Sequence, residues 1–289
     1  MKRNAKQNKK DNFFTLYSDI EAELKHYDFS GKTVYCNCDD GMRSNFFLYF
    51  MRNFEKLKLR KLICTGFGED VDRVFIMYKK DYALFKPHDG DFKNNIDFLK
   101  ESDVVVTNPP FSLFREYIAL LVKYDKKFLV IGNVLCIGYK EIFPLIKQNK
   151  LWFGYKFNGK PMLFIVPDDY ELNGFVNGYF SSGKKYVGVG GTCWVTNMEN
   201  KKHNEYLILK KPYSPEKYLK YDNYDGINVD KVKNIPFNYY GIMGVPLTFL
   251  GKYNPKQFEI VGFRKGIDGK DLKIGGKYPF SRVLIRRVI

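Results

Sequence analysis

Between residues 104 and 111 the sequence reads VVVTNPPF. A β-branched run stops at a neutral amide, Asn108, and continues through Pro109 and Pro110 to an aromatic, Phe111. An amide side chain offers a carbonyl acceptor without a charge. Successive prolines hold the backbone extended and carry no N–H, so the Pro109 carbonyl can stay aimed outward. The Asn108 oxygen and that carbonyl are two acceptors for the two hydrogens of a planar amino group, such as the exocyclic amine of adenine. The lone pair of such an amine is delocalised into its ring; with both hydrogens held, the nitrogen takes the geometry of a nucleophile attacking a methyl group. Phe111 would then supply a π-face for a base taken out of its stack. The same four residues also fit a Pro-Pro turn that ends a buried strand.

Two acidic positions lie upstream. In GDF at 90–92, Asp91 can accept a hydrogen bond from the adenine amine of a nucleoside cofactor and Phe92 can pack on its ring; an Asp-Gly-Asp stretch also fits a solvated turn. Asp39 and Asp40 follow an apolar strand, where a carboxylate can meet a cationic amino group or a ribose hydroxyl. Ser44 can cap the next helix, and that helix start can receive a carboxylate. The cysteines, Cys36, Cys38, Cys64, Cys136 and Cys193, are odd in number and sit in apolar runs, which predicts reduced core residues. With His26, His88 and His203 scattered, no metal site is expected.

These residues need a frame that brings strand ends together. Short apolar strands alternate with helical stretches: TVYCNC at 33–38, a helix over 44–57, KLICTG at 61–66, VVVT at 104–107, a helix over 114–124, KFLVIGN at 127–133, a helical stretch at 139–149 and LWFGY at 151–155. Ahead of them Ile20, Leu24 and Tyr27 recur at helical spacing. Such alternation predicts an α/β fold with a doubly wound, mostly parallel sheet whose ligand lies beyond the carboxyl ends of its strands. After residue 200 the texture shifts to longer polar stretches with strand candidates at 258–263 and 282–289. The expected division is a basic flexible arm over 1–12, a catalytic domain over 13–200 and a smaller module over 201–289.

The chain of 289 residues carries 48 Lys and Arg against 32 Asp and Glu, a net charge of +16, which points to a polyanionic partner, nucleic acid before an acidic membrane. Hydrophobic residues at 45% and aromatics at 17% exclude general disorder. No apolar run is long enough to span a bilayer, and the basic start has no hydrophobic segment behind it, so a soluble cytoplasmic protein is expected. No Pro-Cys dipeptide occurs, which argues against a covalent cysteine mechanism on cytosine.

Taken in order, DNFFTLYSDIEAEL, VYCNCDDGMRSNFFLYF, GDF, VVVTNPPFSLFREYI, KFLVIGN, LWFGY, CWVTNM and KYDNYDGINVDKV resemble the EcoRI-type adenine-specific DNA methyltransferases over nearly the whole chain. The resemblance implies a Rossmann-like catalytic domain, S-adenosylmethionine as cofactor, and the gamma arrangement of cofactor region, catalytic motif and recognition region. It places Phe13 and Thr15 in the leading cofactor segment, Asp39 after the first strand, Asp91 in the adenine-binding motif, Asn108 to Phe111 as the catalytic motif, and Trp194 in the wall of the base pocket. It implies site-specific N6 methylation of a flipped adenine in double-stranded DNA, in a restriction-modification, phage or epigenetic setting, with a restriction endonuclease as a companion on the same site and association with the nucleoid through DNA. One departure stands out: CNCDDGMRSN replaces the usual glycine-rich cofactor loop, so side chains must do more of the holding. Two other readings use the same residues: an N-methyltransferase for RNA or a protein amide, and a catalytically silent nucleic-acid-binding homologue.

Overall fold

The computed structural model describes residues 13–39, 44–66, 73–78, 83–87, 92–170, 177–265 and 271–288; of residues 38, 39, 73, 83–87 and 177 it describes the backbone alone. The basic arm over 1–12, Asp40 and Asp91 lie outside the described residues. In chain order the first elements are β1 (Phe14–Thr15), α1 (Tyr17–Leu24), β2 (Thr33–Asp39), α2 (Asn45–Arg52), β3 (Lys61–Gly66), β4 (Arg73–Met77), β5 (Ala83–Pro87), α3 (Ile96–Glu101), β6 (Val104–Thr107), α4 (Phe114–Lys123) and β7 (Lys127–Asn133). They are followed by α5 (Phe143–Lys147), β8 (Trp152–Phe153), β9 (Met162–Val166), β10 (Asn177–Ser181), β11 (Lys184–Val189), β12 (Thr192–Thr196), β13 (Lys220–Tyr221), β14 (Tyr224–Asn228), β15 (Met243–Pro246), β16 (Phe258–Arg264) and β17 (Arg282–Arg287). Two compact units result: Met1–Asn133 with Lys160–Glu199, and Val134–Gly159 with Asn200–Ile289.

In the first unit the main sheet runs β5-β4-β3-β2-β6-β7-β12. Pairing is parallel from β3 through β2 and β6 to β7. It is antiparallel where β4 meets β3, β5 meets β4, and β12 meets β7. The sheet is therefore mixed, not mostly parallel. Antiparallel neighbours need only short connections, and the strands at 73–77 and 83–87 are five-residue runs that periodicity does not separate from loop. From β2 the chain builds outward through β3, then returns to β6 on the other side. The carboxyl ends of β2 and β6 diverge there, the crevice in which open α/β sheets hold ligands.

Both faces of this sheet are covered. On one, Val34, Cys36, Leu62, Cys64, Val104, Val106, Leu129, Ile131 and Trp194 pack with Ile20 and Leu24 of α1 and with Phe46, Phe47 and Phe50 of α2. On the other, Tyr35 meets Phe98 of α3 at 6.3 Å between ring centroids, and Phe114 of α4 lies so close to Gly132 that a Cβ there would stand 2.5 Å from its ring. Helix α2 is capped by Ser44, whose Oγ accepts from Phe47 N at 3.1 Å. It ends at Asn53, well short of Leu57, because the Asn53 amide donates to the Tyr49 carbonyl at 2.9 Å and competes with helical continuation. Helix α5 starts later than its periodicity predicts, with Pro144 in its first turn, where a missing N–H costs nothing.

A second sheet of the same unit, four-stranded in the order β1-β9-β11-β10, is antiparallel throughout. The second unit holds a five-stranded sheet in the order β13-β14-β15-β17-β16 around Met243, Phe258, Ile260 and Ile285, with Phe249 edge-on to Phe258 at 5.2 Å. No described helix is long and apolar enough to cross a membrane.

Candidate active site

Strand β6 delivers Thr107 and then Asn108 to the crevice beside β2. Three contacts fix that end of the sheet. Thr107 Oγ1 donates to the Asn37 carbonyl, Tyr117 of α4 donates to Asn37 Oδ1, and Tyr35 and Thr65 share a hydrogen bond of 3.0 Å between their hydroxyls. Asn37 is buried, and its two oxygens tie β2 to β6 and to α4. It was missed by sequence reasoning, although a polar residue inside TVYCNC was a signal: a buried amide is kept where its hydrogen bonds are satisfied.

Asn108 is held from its nitrogen side. Its Nδ2 donates to the Phe13 carbonyl at 2.7 Å, which settles the amide orientation, since a carbonyl can only accept. Its Oδ1 is buried and has no hydrogen-bond partner among the described residues. Leaving a buried acceptor unpaired costs about 1–3 kcal/mol. The carbonyl of Pro110 accepts from Leu113 N at 3.0 Å as the chain turns into Phe111–Leu113. Of the two proline carbonyls, that leaves the one on Pro109 for an outside donor.

Phe111 is half-buried and packs against Phe13 at 5.3 Å and Phe164 of β9 at 6.2 Å. Phe13 is the hub of this cluster, since it also touches Phe164 and Tyr170, both at 5.5 Å. The leading segment is tied down a second time, by Asn45 of α2, whose Nδ2 donates to the Thr15 carbonyl at 2.7 Å. The Thr15 hydroxyl, like Asn108 Oδ1, is buried without a partner among the described residues. Residues 95 positions apart in the chain thus form one neighbourhood. Phe164, Tyr170, Asn45 and Asn37 join it without any sequence motif to mark them.

The remaining expected residues are placed as follows. Asp39 closes β2, paired with Gly66 of β3, at the carboxyl edge of the sheet. Phe92 is buried, edge-on to Tyr117 at 5.0 Å, with Lys93 Nζ 5.6 Å from its ring centroid. Trp194 of β12 is buried against Phe46 of α2 at 5.9 Å. Thr107 and Val195 both pair with Val130 of β7, so Trp194 stands level with Asn108 two strands away. Cys36, Cys64, Cys136 and Cys193 are buried and in no disulfide, as their apolar settings predict.

Comparison with known proteins shows the family of the chain. The family model described as adenine-specific methyltransferase EcoRI matches residues 1–86 and 83–287. The Type II methyltransferase M.EcoRI of Escherichia coli is 47% identical, over 98% of this chain and 94% of its own. The Type II methyltransferase M.MgeORF184P of Mycoplasma genitalium is 40% identical, over 98% and 97%, and M.MpnI of Mycoplasma pneumoniae is 41% identical, over 89% and 83%. No solved structure matches the chain significantly. With NPPF at the crevice of an α/β sheet and a family match over residues 1–86 and 83–287, the chain belongs to the EcoRI family of adenine-specific DNA methyltransferases.

Proposed function

We propose that the chain methylates the N6 amine of an adenine turned out of double-stranded DNA, and that Asn108, Pro109, Pro110 and Phe111 carry the reaction. One observation supports this above the others: the Asn108 amide is clamped through its nitrogen, with a buried oxygen left over. In this reading Oδ1 accepts one hydrogen of the adenine amine and the Pro109 carbonyl accepts the other, which draws the nitrogen toward tetrahedral geometry. Because the clamp is built before substrate arrives, no reorganisation is needed as charge develops on nitrogen. Phe111 and Phe13 give the base an aromatic wall. A neutral amide cannot take up the proton released as the N–C bond forms, so it leaves to water.

The donor is S-adenosylmethionine, which when bound supplies an electrophilic methyl group on a sulfonium. The described residues fit it: the Thr15 hydroxyl is buried without a partner among them, close in sequence to the Phe13 carbonyl that holds Asn108, and β2 runs beside β6, the strand that leads to Asn108. Thr15, Phe13, Asp39 and, from GDF, Asp91 with Phe92 would hold it, and Trp194 would back the base pocket. The finer fold reading goes with this one: a doubly wound, Rossmann-like core modified by antiparallel edges. The first unit then carries catalysis, residues from 201 onward read the DNA site, and the basic arm adds affinity without sequence preference. A restriction endonuclease cutting the same site would be the companion.

Long-read modification mapping of DNA from cells expressing the chain tests the proposal. N6-methyladenine at one recurring sequence is expected, and none from cells expressing Asn108→Ala. Methylation found only in RNA or protein, or an undiminished pattern from the variant, would overturn it.

A further inference from the structure

Strands β10 and β11 form a hairpin joined by the two-residue turn Ser182–Gly183, with φ of 49° and 71°. Positive φ at both central residues is the type I′ geometry, whose twist matches the flanking strands, so this is a stiff ribbon rather than a loose loop. Its tip lies in solvent and is aromatic. Phe180 is 65% exposed and Tyr179 is 49% exposed. Tyr179 stacks on its cross-strand partner Tyr186, with centroids 5.1 Å apart and planes 9° from parallel. On the opposite face Phe180 lies across from Lys185, whose Nζ is 5.5 Å from the ring centroid. A single exposed aromatic is ordinary; flat rings on both faces of one hairpin, beside the exposed Lys184, are not explained by folding, because burying them would be more favourable.

The ribbon is anchored at the catalytic neighbourhood. Val187 of β11 is fully buried and pairs with Phe164, the ring against which Phe111 and Phe13 pack. Lys185 does not serve as a free cation: it donates to the carbonyls of Asp168 at 3.2 Å and Tyr170 at 2.5 Å, and the Tyr170 ring rests on Phe13. From Val187 to the turn is about four residues, ~13 Å of strand. A two-stranded ribbon is of a width that the DNA major groove admits.

We infer that the β10–β11 hairpin is a wedge that enters the duplex beside the target adenine, with Phe180 taking the place of the extruded base in the stack and the Tyr179–Tyr186 pair offering a flat surface to its neighbours. The assignment rests on the reading of the chain as a DNA methyltransferase that acts on a flipped base. Exposed apolar side chains that part base steps offset the cost of unstacking, a few kcal/mol per step. A wedge helps only while the target is still paired. Its loss should therefore be repaired by a substrate whose target base has no partner.

The test uses the full-length protein and a duplex carrying the site found by modification mapping, prepared with the target adenine either paired with thymine or opposite an abasic position. Single-turnover methylation is measured for wild type, Phe180→Ala and Phe180→Trp, with circular dichroism as a check on folding. The expected result is a loss of tenfold or more by Phe180→Ala on the paired duplex, a rate within about twofold of wild type on the abasic duplex, and recovery on the paired duplex by Phe180→Trp. Equal rates for wild type and Phe180→Ala on the paired duplex would overturn the wedge, as would an equal loss on both duplexes. A change in oligomeric state by sedimentation with unchanged methylation would assign the hairpin to contact with a second copy instead. If wild type methylates neither duplex, the failure lies with the reading of the chain as a DNA methyltransferase.

Discussion

At the scale of single residues the proposed site rests on two buried groups without a partner among the described residues, Asn108 Oδ1 and Thr15 Oγ1. Each should respond to substitution in its own way. Asn108→Ala removes an acceptor used while charge builds on nitrogen, so turnover should fall by about a hundredfold or more. Cofactor affinity should stay nearly constant, and a single-turnover rate equal to wild type would show that the oxygen is not used. Thr15→Val replaces a buried hydroxyl with a methyl group of the same shape. Without cofactor this change should be neutral or stabilising, whereas cofactor affinity should drop by about 0.5–1.5 kcal/mol for the lost hydrogen bond. Calorimetry giving an unchanged Kd would take Thr15 out of the binding site. The thiols make a third case. Burial pushes the Cys136 thiol up to about 12. Since its ordinary value is near 8.5, the unfolded chain loses this proton first as pH rises, so Cys136 contributes a falling stability from about that pH up to its folded value. Of five cysteines, four have described side chains, all buried. Iodoacetamide at pH 8.5 should modify no more than the remaining one, Cys38, in the native protein; rapid labelling of two or more would contradict the packing.

At the scale of elements, the close approach of α4 to β7 sets the crevice. Gly132 lets the Phe114 ring lie against the strand, and Val195 of β12 stands 3.2 Å from where a Cβ would be. Helix α4 also bears Tyr117, the donor to Asn37 at the end of β2. Gly132→Ala should therefore force the helix outward, with a stability loss of about 1–3 kcal/mol from overpacking. Urea denaturation measures it, and because the displacement reaches Tyr117, activity should fall at urea concentrations where the variant is still folded. A midpoint identical to wild type would mean that the contact is slack. The elements legible in the sequence were those with long apolar runs: β3, β6 and β7 fall on the residues that the pattern predicts. The β4–β5 pairing was not legible, because its two five-residue runs carry no periodicity that marks them as neighbouring strands. The Tyr179–Tyr186 pairing was not either, since cross-strand partners are set by the register that the Ser182–Gly183 turn imposes, not by local periodicity.

At the scale of the whole molecule, the second unit is discontinuous in sequence. Residues Val134–Gly159 leave the first unit after β7 and cluster with Asn200–Ile289. Trp152 stacks on His203 at 3.7 Å, His203 Nε2 lies 3.0 Å from Asn149 Oδ1, and Lys202 donates to the Tyr155 carbonyl at 3.1 Å. A chain ending at Glu199 would strip these partners away and expose Trp152. It should aggregate or bind a hydrophobic dye strongly, even though every proposed catalytic residue precedes the cut. A monomeric truncation with native near-ultraviolet dichroism would show that the first segment of the second unit can dispense with the rest.

The sequence by itself determined the chemistry on offer and the class of frame around it. VVVTNPPF carries an amide, a proline carbonyl and an aromatic in adjacent positions, and their relation is fixed by the local backbone alone. The apolar alternation around it determined that strands and helices would share a core. Only the tertiary structure decided which way the Asn108 amide faces, because its nitrogen is held by the Phe13 carbonyl, 95 residues away. The same holds for Asn37, Phe164 and Tyr170, whose roles come from neighbours on other strands. A local pattern cannot encode a partner that arrives through sheet order, and sheet order is settled by which faces of the chain can be buried together.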